Sequence, residues 1–276
     1  MRSSLGFPLQ SQLKSIALVG IGLWIPWGIS SLENLPSPGT TALASVASSP
    51  DPAHPNPAHQ IPPGNPQTTP PNPAQAAQYR GQGLALRQQG DWAGAIAALQ
   101  QAVTLDPSHT DGRVLLGWTY HLAGDRPQAL ALLRSAVQQD PVHVPALNAL
   151  GIVQLVQGQR WAAVATHTQA ALLDPSNEIA FYNLSLAWQG LGFSSWAMAT
   201  AETAIALEPS NPHPQIAWAL AAEDWGDRAG SLAQYEQVLA LDSRYSDRTF
   251  LQEDLAAAGF SPPQIDRVTQ TLFSLP

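Results

Sequence analysis

The chain has 276 residues, 45% of them apolar and only 12% charged, so a sizeable core can form beneath a weakly charged surface. The formal net charge of −8 arises wholly after residue 75, where ten Arg and no Lys face eighteen acids. That body lacks the basic footprint that phosphate backbones require, which excludes nucleic acid as a partner class. No cysteine is present, which removes disulfides, thiol catalysis, zinc–thiolate sites and a lipidated N-terminal Cys.

Residues 1–33 read as a membrane-targeting segment. Arg2 and Lys14 precede an uncharged apolar run, Ile16 to Ile29, interrupted by Pro26 and containing Trp24 and Trp27. At 1.5 Å per residue, fourteen helical residues fall short of a hydrocarbon core of about 30 Å. That length suits a signal-peptide core. The small-residue sites that a peptidase would cut, Ala42-Leu43-Ala44 and Ser45-Val46-Ala47, lie more than ten residues further on, which fits an uncleaved tether better. Both alternatives carry the rest of the chain across the membrane, to the periplasm or a lumen, either tethered or released after cleavage.

Residues 34–75 form a Pro-rich spacer, with twelve prolines between Pro36 and Pro73 and almost no charge. Proline removes donors and fixes φ, so the spacer is expected to be a disordered, extended linker. His54 and His59 fall here and read as solvated linker histidines.

From residue 76 to 243 the sequence repeats with a period of 34. Gly90, Gly124, Gly158, Gly192 and Gly226 hold one register, and Pro107, Pro141, Pro175 and Pro209, each preceded by an acid, hold another. The glycine predicts the end of a first helix, where a left-handed residue is needed, and the acid–Pro pair predicts the end of a second. Asp91, Asp125, Ser194 and Asp227 are placed to cap the second helices. Small residues at Gly83, Gly117, Gly151 and at Ala95, Ala129, Ala163, Ala197 allow the paired helices to approach closely. One such pair cannot bury its apolar face alone, so the units must stack.

Each period resembles the tetratricopeptide-repeat (TPR) pattern W-x2-L-G-x2-Y…A-x3-F…P. The second unit shows it as Leu116, Gly117, Tyr120, Ala129, Leu133, Ala136 and Pro141, and the third as Leu150, Gly151, Gln154, Ala163, His167, Ala170 and Pro175. The resemblance implies an all-α, right-handed α-solenoid of five repeats, 76–109, 110–143, 144–177, 178–211 and 212–245. The fifth is the loosest, with Ser243 in place of proline. Residues 246–276 are expected to add capping helices. The first would run from Asp247 to Ala258 and end at Gly259, as the first half of a sixth unit; the second would open with Ser261, Pro262, Pro263 and Gln264 and face inward through Ile265, Val268 and Leu272.

In the TPR family the first helix of each unit lines a concave groove. Carried over by register, the groove would present Arg80, Leu84 and Arg87, then Trp118 and His121, then Asn148, Ile152 and Leu155, then Tyr182, Asn183, Leu186 and Gln189, and finally Leu220. Trp118, Tyr182 and the two arginines are the expected anchors, with packing between repeats as the competing explanation for the aromatics. Gly81, Leu115 and Ala149 stand where the carboxylate-gripping TPR subclass needs Asn or Arg, so a hydrophobic or amphipathic protein segment is the expected partner.

No sequence pattern for a catalytic, cofactor or metal site occurs; His109 and His143 share one loop position, and His167 reads as a core histidine. The expected function is a non-catalytic scaffold or adaptor, able to assist assembly of a membrane-associated complex, with a client-free cell-envelope spacer as the alternative. Membrane contact is expected through the N-terminal segment only, and the layout resembles that of membrane-tethered or exported bacterial TPR proteins.

Overall fold

The computed structural model describes residues 70–271; the targeting segment, most of the linker with His54 and His59, and Leu272 lie outside the described residues. Among the described residues there are twelve α-helices and no strand, and no helix is long and apolar enough to cross a membrane. The first helices of the five units (A helices) are α1 Pro73–Gln88, α3 Thr110–Leu122, α5 Val144–Val156, α7 Glu178–Gly190 and α9 Pro212–Trp225. The second helices (B helices) are α2 Trp92–Leu105, α4 Arg126–Gln139, α6 Arg160–Leu173, α8 Ser194–Leu207 and α10 Arg228–Leu241. A short 3-10 turn, Ser243–Ser246, leads into α11 Arg248–Ala257 and α12 Pro262–Thr271.

The repeated local signals act as the sequence predicts, with two refinements. Every A–B turn closes on a glycine with positive φ, from 73° at Gly158 to 94° at Gly226, a conformation that costs other residues about 1–2 kcal/mol. Asp91, Asp125 and Asp227 cap α2, α4 and α10 by accepting a backbone N–H three residues on. Ser194 does not: it is already the first residue of α8, and Phe193 takes the cap position without a side-chain bond. At the other turn, His109 and His143 are more than loop residues. Their Nδ1 atoms accept from Gly112 N and Ala146 N at 3.1 Å, capping α3 and α5 where Asn177 and Asn211 cap α7 and α9.

Within each unit, A and B pack by matching small against large. A Cβ on Gly83 would lie 2.6 Å from Leu99 Cγ, on Gly117 2.8 Å from Leu133 Cγ, and on Gly151 2.4 Å from His167 Nε2. Gly117→Ala should therefore lower stability by about 1–3 kcal/mol through overpacking, read as a shifted urea midpoint with an unchanged m-value. An unshifted midpoint would show that Leu133 can retreat without cost.

Each B helix also packs on the next A helix, and consecutive A helices touch from α3 to α9, whereas no two B helices pack comparably. The A helices therefore form the inner face of the curve. The C-terminal helices depart from the expected sixth unit. Ser243 stands in place of the proline, and Tyr245 N bonds Asp242 O as the equivalent residues do in the other units, here within a 3-10 turn. That turn sends α11 across the inner face rather than onto the end of the stack. Leu251, Leu255, Phe260, Ile265 and Val268 are buried in one cluster with Tyr182, Leu186, Ile216 and Leu220 of α7 and α9.

Candidate functional site: the inner face of the A helices

The inner face has two parts with different fates. Over the fourth and fifth units it is covered by the chain's own α11 and α12. Tyr182, expected in an open groove, is 7% exposed and its hydroxyl donates to Ala258 O at 2.8 Å; its ring lies 6.2 Å from that of Phe260. Burial pushes the Tyr182 phenol well above its usual range, so it stays a neutral donor. Leu186 and Leu220 are fully buried, and Asn183 is buried with its amide donating to Ile179 O at 2.8 Å. These four side chains hold the fold together and present no free surface.

Polar contacts fix this cover in register. Gln264 Nε2 donates to Leu186 O at 3.2 Å and to Gln189 Oε1 at 2.6 Å, while its Oε1 accepts from Ser261 N at 2.8 Å. Gln189 in turn donates to Asp224, which is ion-paired with Arg267. His213 Nε2 lies 2.8 Å from Asp254 Oδ2. Gln189 is thus used internally as well.

Over the first three units the inner face is open. Arg80 is not available: it lies against Asp106 at 3.5 Å with both side chains largely buried. Asn148 is likewise spent on a reciprocal amide pair with Asn177 at 3.0 and 3.2 Å. Leu84 is exposed, and Arg87, Trp118, His121 and Ile152 are half-buried. Trp118 packs on the cluster of Leu130, Leu150 and Val153, so it has a structural share, and its ring meets that of His121 at 4.9 Å. Burial, then the charge of Arg126, lowers the His121 pKa, so that imidazole is neutral near pH 7.

Where the open part meets the cover there is a cleft of about 420 Å³. Leu155, Val156, Leu186, Phe260 and Ile265 give it an apolar wall, and Arg126 and Arg160 supply its cations. Neither arginine has an ion pair among the described residues. Arg160 lies flat on Gly190, where a Cβ would come within 2.5 Å of Nε, so the glycine makes room for the guanidinium. Reasoning by groove register missed both arginines because they start the B helices. Their 34-residue separation was the available signal. Among the described residues no group of three or more His, Asp or Glu is placed to hold a metal ion.

An inner face of stacked A helices, an outer layer of B helices and a 34-residue register give an α-solenoid of the tetratricopeptide-repeat type. The tetratricopeptide-repeat profile matches residues 86–151. Among solved structures the chain is similar to MamA, at 25% identity and TM-score 0.54 over 59% of this chain and 96% of that one. It is also similar to MamA 41-end from Desulfovibrio magneticus RS-1, at 19% identity and TM-score 0.57 over 63% and 98% of the two chains. A thermophilic TPR protein of Thermus thermophilus matches at 22% identity and TM-score 0.52, over 66% and 98%. No curated protein shows significant sequence similarity to the chain.

Proposed function

We propose that the protein is a non-catalytic adaptor that binds an amphipathic protein segment along the open inner face of its first three repeats. The observation that carries this reading is the cleft in which Leu155 and Val156 adjoin Arg126 and Arg160, with the Trp118–His121 pair on the same open inner face. Two unpaired arginines on an otherwise acidic body call for a client with carboxylates beside an apolar stripe. Buried aromatic and arginine contacts usually dominate such interfaces. The neighbouring cover supports a helical binding mode, since α12 already lies on the same face as an amphipathic helix. The N-terminal segment would hold the adaptor at a membrane, with the repeats on the extracytoplasmic side, where it assists assembly of a membrane-associated complex.

The test is site-specific photocrosslinking from Leu155 in native membranes, with the adduct mapped by mass spectrometry. One acidic, amphipathic segment should dominate, and Arg126→Glu with Arg160→Glu should reduce its yield at least about tenfold, as expected for two desolvated charge contacts. Adducts spread over unrelated proteins, or insensitive to the two charge reversals, would leave only the client-free spacer.

A further inference from the structure

The A–B turns bring the C-termini of the A helices and the N-termini of the B helices to one edge of the solenoid, because paired helices run antiparallel and the units stack in parallel. Large aromatic residues are exposed along this edge. Trp92 opens α2, Trp161 follows the first residue of α6, Phe193 and Trp196 begin α8, and Trp225 ends α9. Their exposures run from 38% for Trp92 to 61% for Trp161 and 64% for Trp225. Three of the residues join Trp188 in a continuous aromatic patch. Trp161 meets Trp188 edge-on at 6.0 Å and Phe193 at 5.8 Å, while Trp188 meets Trp196 at 5.8 Å. The core does not need this patch, because Trp161, Phe193 and Trp196 leave 61%, 42% and 49% of their surfaces in water.

We propose that this edge rests on the surface of a lipid bilayer, with the aromatic rings at headgroup depth. Three features select a bilayer over a protein partner. First, the aromatics lie at or next to the A–B turns in four of the five units, so they extend along the edge beyond the Trp161–Trp196 patch. Second, Trp is the side chain that prefers the interface, where its ring is shielded and its N–H stays hydrated. Third, charge distinguishes the two edges. On the aromatic edge Asp91, Asp125 and Asp227 cap helices, Glu223 pairs with Arg228 at 2.8 Å, Asp224 pairs with Arg267, and Arg126 and Arg160 are unopposed. The opposite edge exposes aliphatic residues such as Val142, but among Asp140, Asp174, Glu178 and Glu208, which anionic lipid would repel, while Arg80 and Arg244 there are already paired with Asp106 and Asp242. The proposal rests on the reading that the N-terminal apolar run, Ile16 to Ile29, would hold the chain at a membrane.

The chain has no cysteine, so a single introduced one reports a single place. The full chain is reconstituted into phosphatidylcholine vesicles, with and without phosphatidylglycerol, carrying an environment-sensitive dye at Phe193→Cys, Trp196→Cys or, on the opposite edge, Val142→Cys. The dyes at 193 and 196 should brighten about threefold as they leave water and be quenched by spin-labelled lipid, while the dye at 142 stays at its aqueous level. Changing Trp161 and Trp225 together to Ser should return the 193 signal toward the aqueous level without altering the far-UV CD spectrum. Equal responses at 142 and 193, or none at 193 in vesicles that retain the protein, overturn the proposal. So does a 193 response that grows with protein concentration in the absence of vesicles, which would assign the edge to contact between copies of the chain.

Discussion

Replacing His167 with Leu is expected to stabilise the protein against acid, in a direction that follows from the position of its imidazole. His167 is fully buried and burial pulls its pKa down to about 3, an effect the neighbouring Gly151 backbone only partly offsets. Neither ring nitrogen has a well-formed hydrogen bond. In the unfolded chain the same group titrates near 6.5. Between those values the unfolded state binds a proton that the native state refuses, so native stability is complete above about pH 6.5 and drains away as the pH falls toward 3. At 1.36 kcal/mol per unit, the loss from this one group between pH 7 and pH 5 is about 2 kcal/mol. Leu99 and Leu133 occupy the same place in the two preceding units, against Gly83 and Gly117, so His167→Leu installs a side chain the packing already accommodates. The variant should gain stability at pH 7 by removing unpaired polar atoms, and should lose about 2 kcal/mol less than the parent on going to pH 5. Urea melts at the two pH values measure the difference. Identical pH dependence in both proteins would show that water or local opening relieves the imidazole.

The second large effect belongs to Tyr182. Truncating it to Ala should cost about 3–5 kcal/mol, because a buried aromatic is removed from the centre of the cluster that joins α7 and α9 to the C-terminal helices. Tyr182→Phe should cost only about 1 kcal/mol, the worth of the hydrogen bond to Ala258 O. The damage should also be local. A solenoid's units are stabilised by their neighbours, so amide exchange should accelerate across 248–271 and α9 while α1 to α6 keep their protection. Trp118→Ala, in contrast, removes a half-buried ring and should destabilise by less than half as much while weakening client capture. If Tyr182→Ala left exchange in 248–271 unchanged, the cover would be held by α12 and its Gln264 contacts alone.

These two residues mark how far the sequence could be read. The period of 34, the left-handed glycines, the aspartate caps and the acid–Pro stops are local instructions, each acting within a few residues, and repetition made them legible. They predicted five helix–turn–helix units, while the resemblance to the TPR family supplied which helix of each pair faces inward. Leu84, Arg87, Trp118 and Ile152, carried over from the register of the TPR family, lie on the part of the inner face that no later helix covers. Tyr182, Leu186 and Leu220 occupy equivalent register positions, yet their surfaces are spent within the molecule. No periodic signal could reveal this, because the groups that cover them lie far along the chain: Tyr182 meets Ala258 76 residues away, and Gln264 meets Leu186 78 residues away. Arg126 and Arg160 show the complementary case. Their repeat spacing was visible, but only the return of α12 across the inner face gives the cleft they line a second wall. The sequence alone determined the repeat, since its signals depend on short-range backbone chemistry. The tertiary structure decided which part of the inner face is open, since that depends on where one non-repeated segment finds the apolar surface that best buries its own.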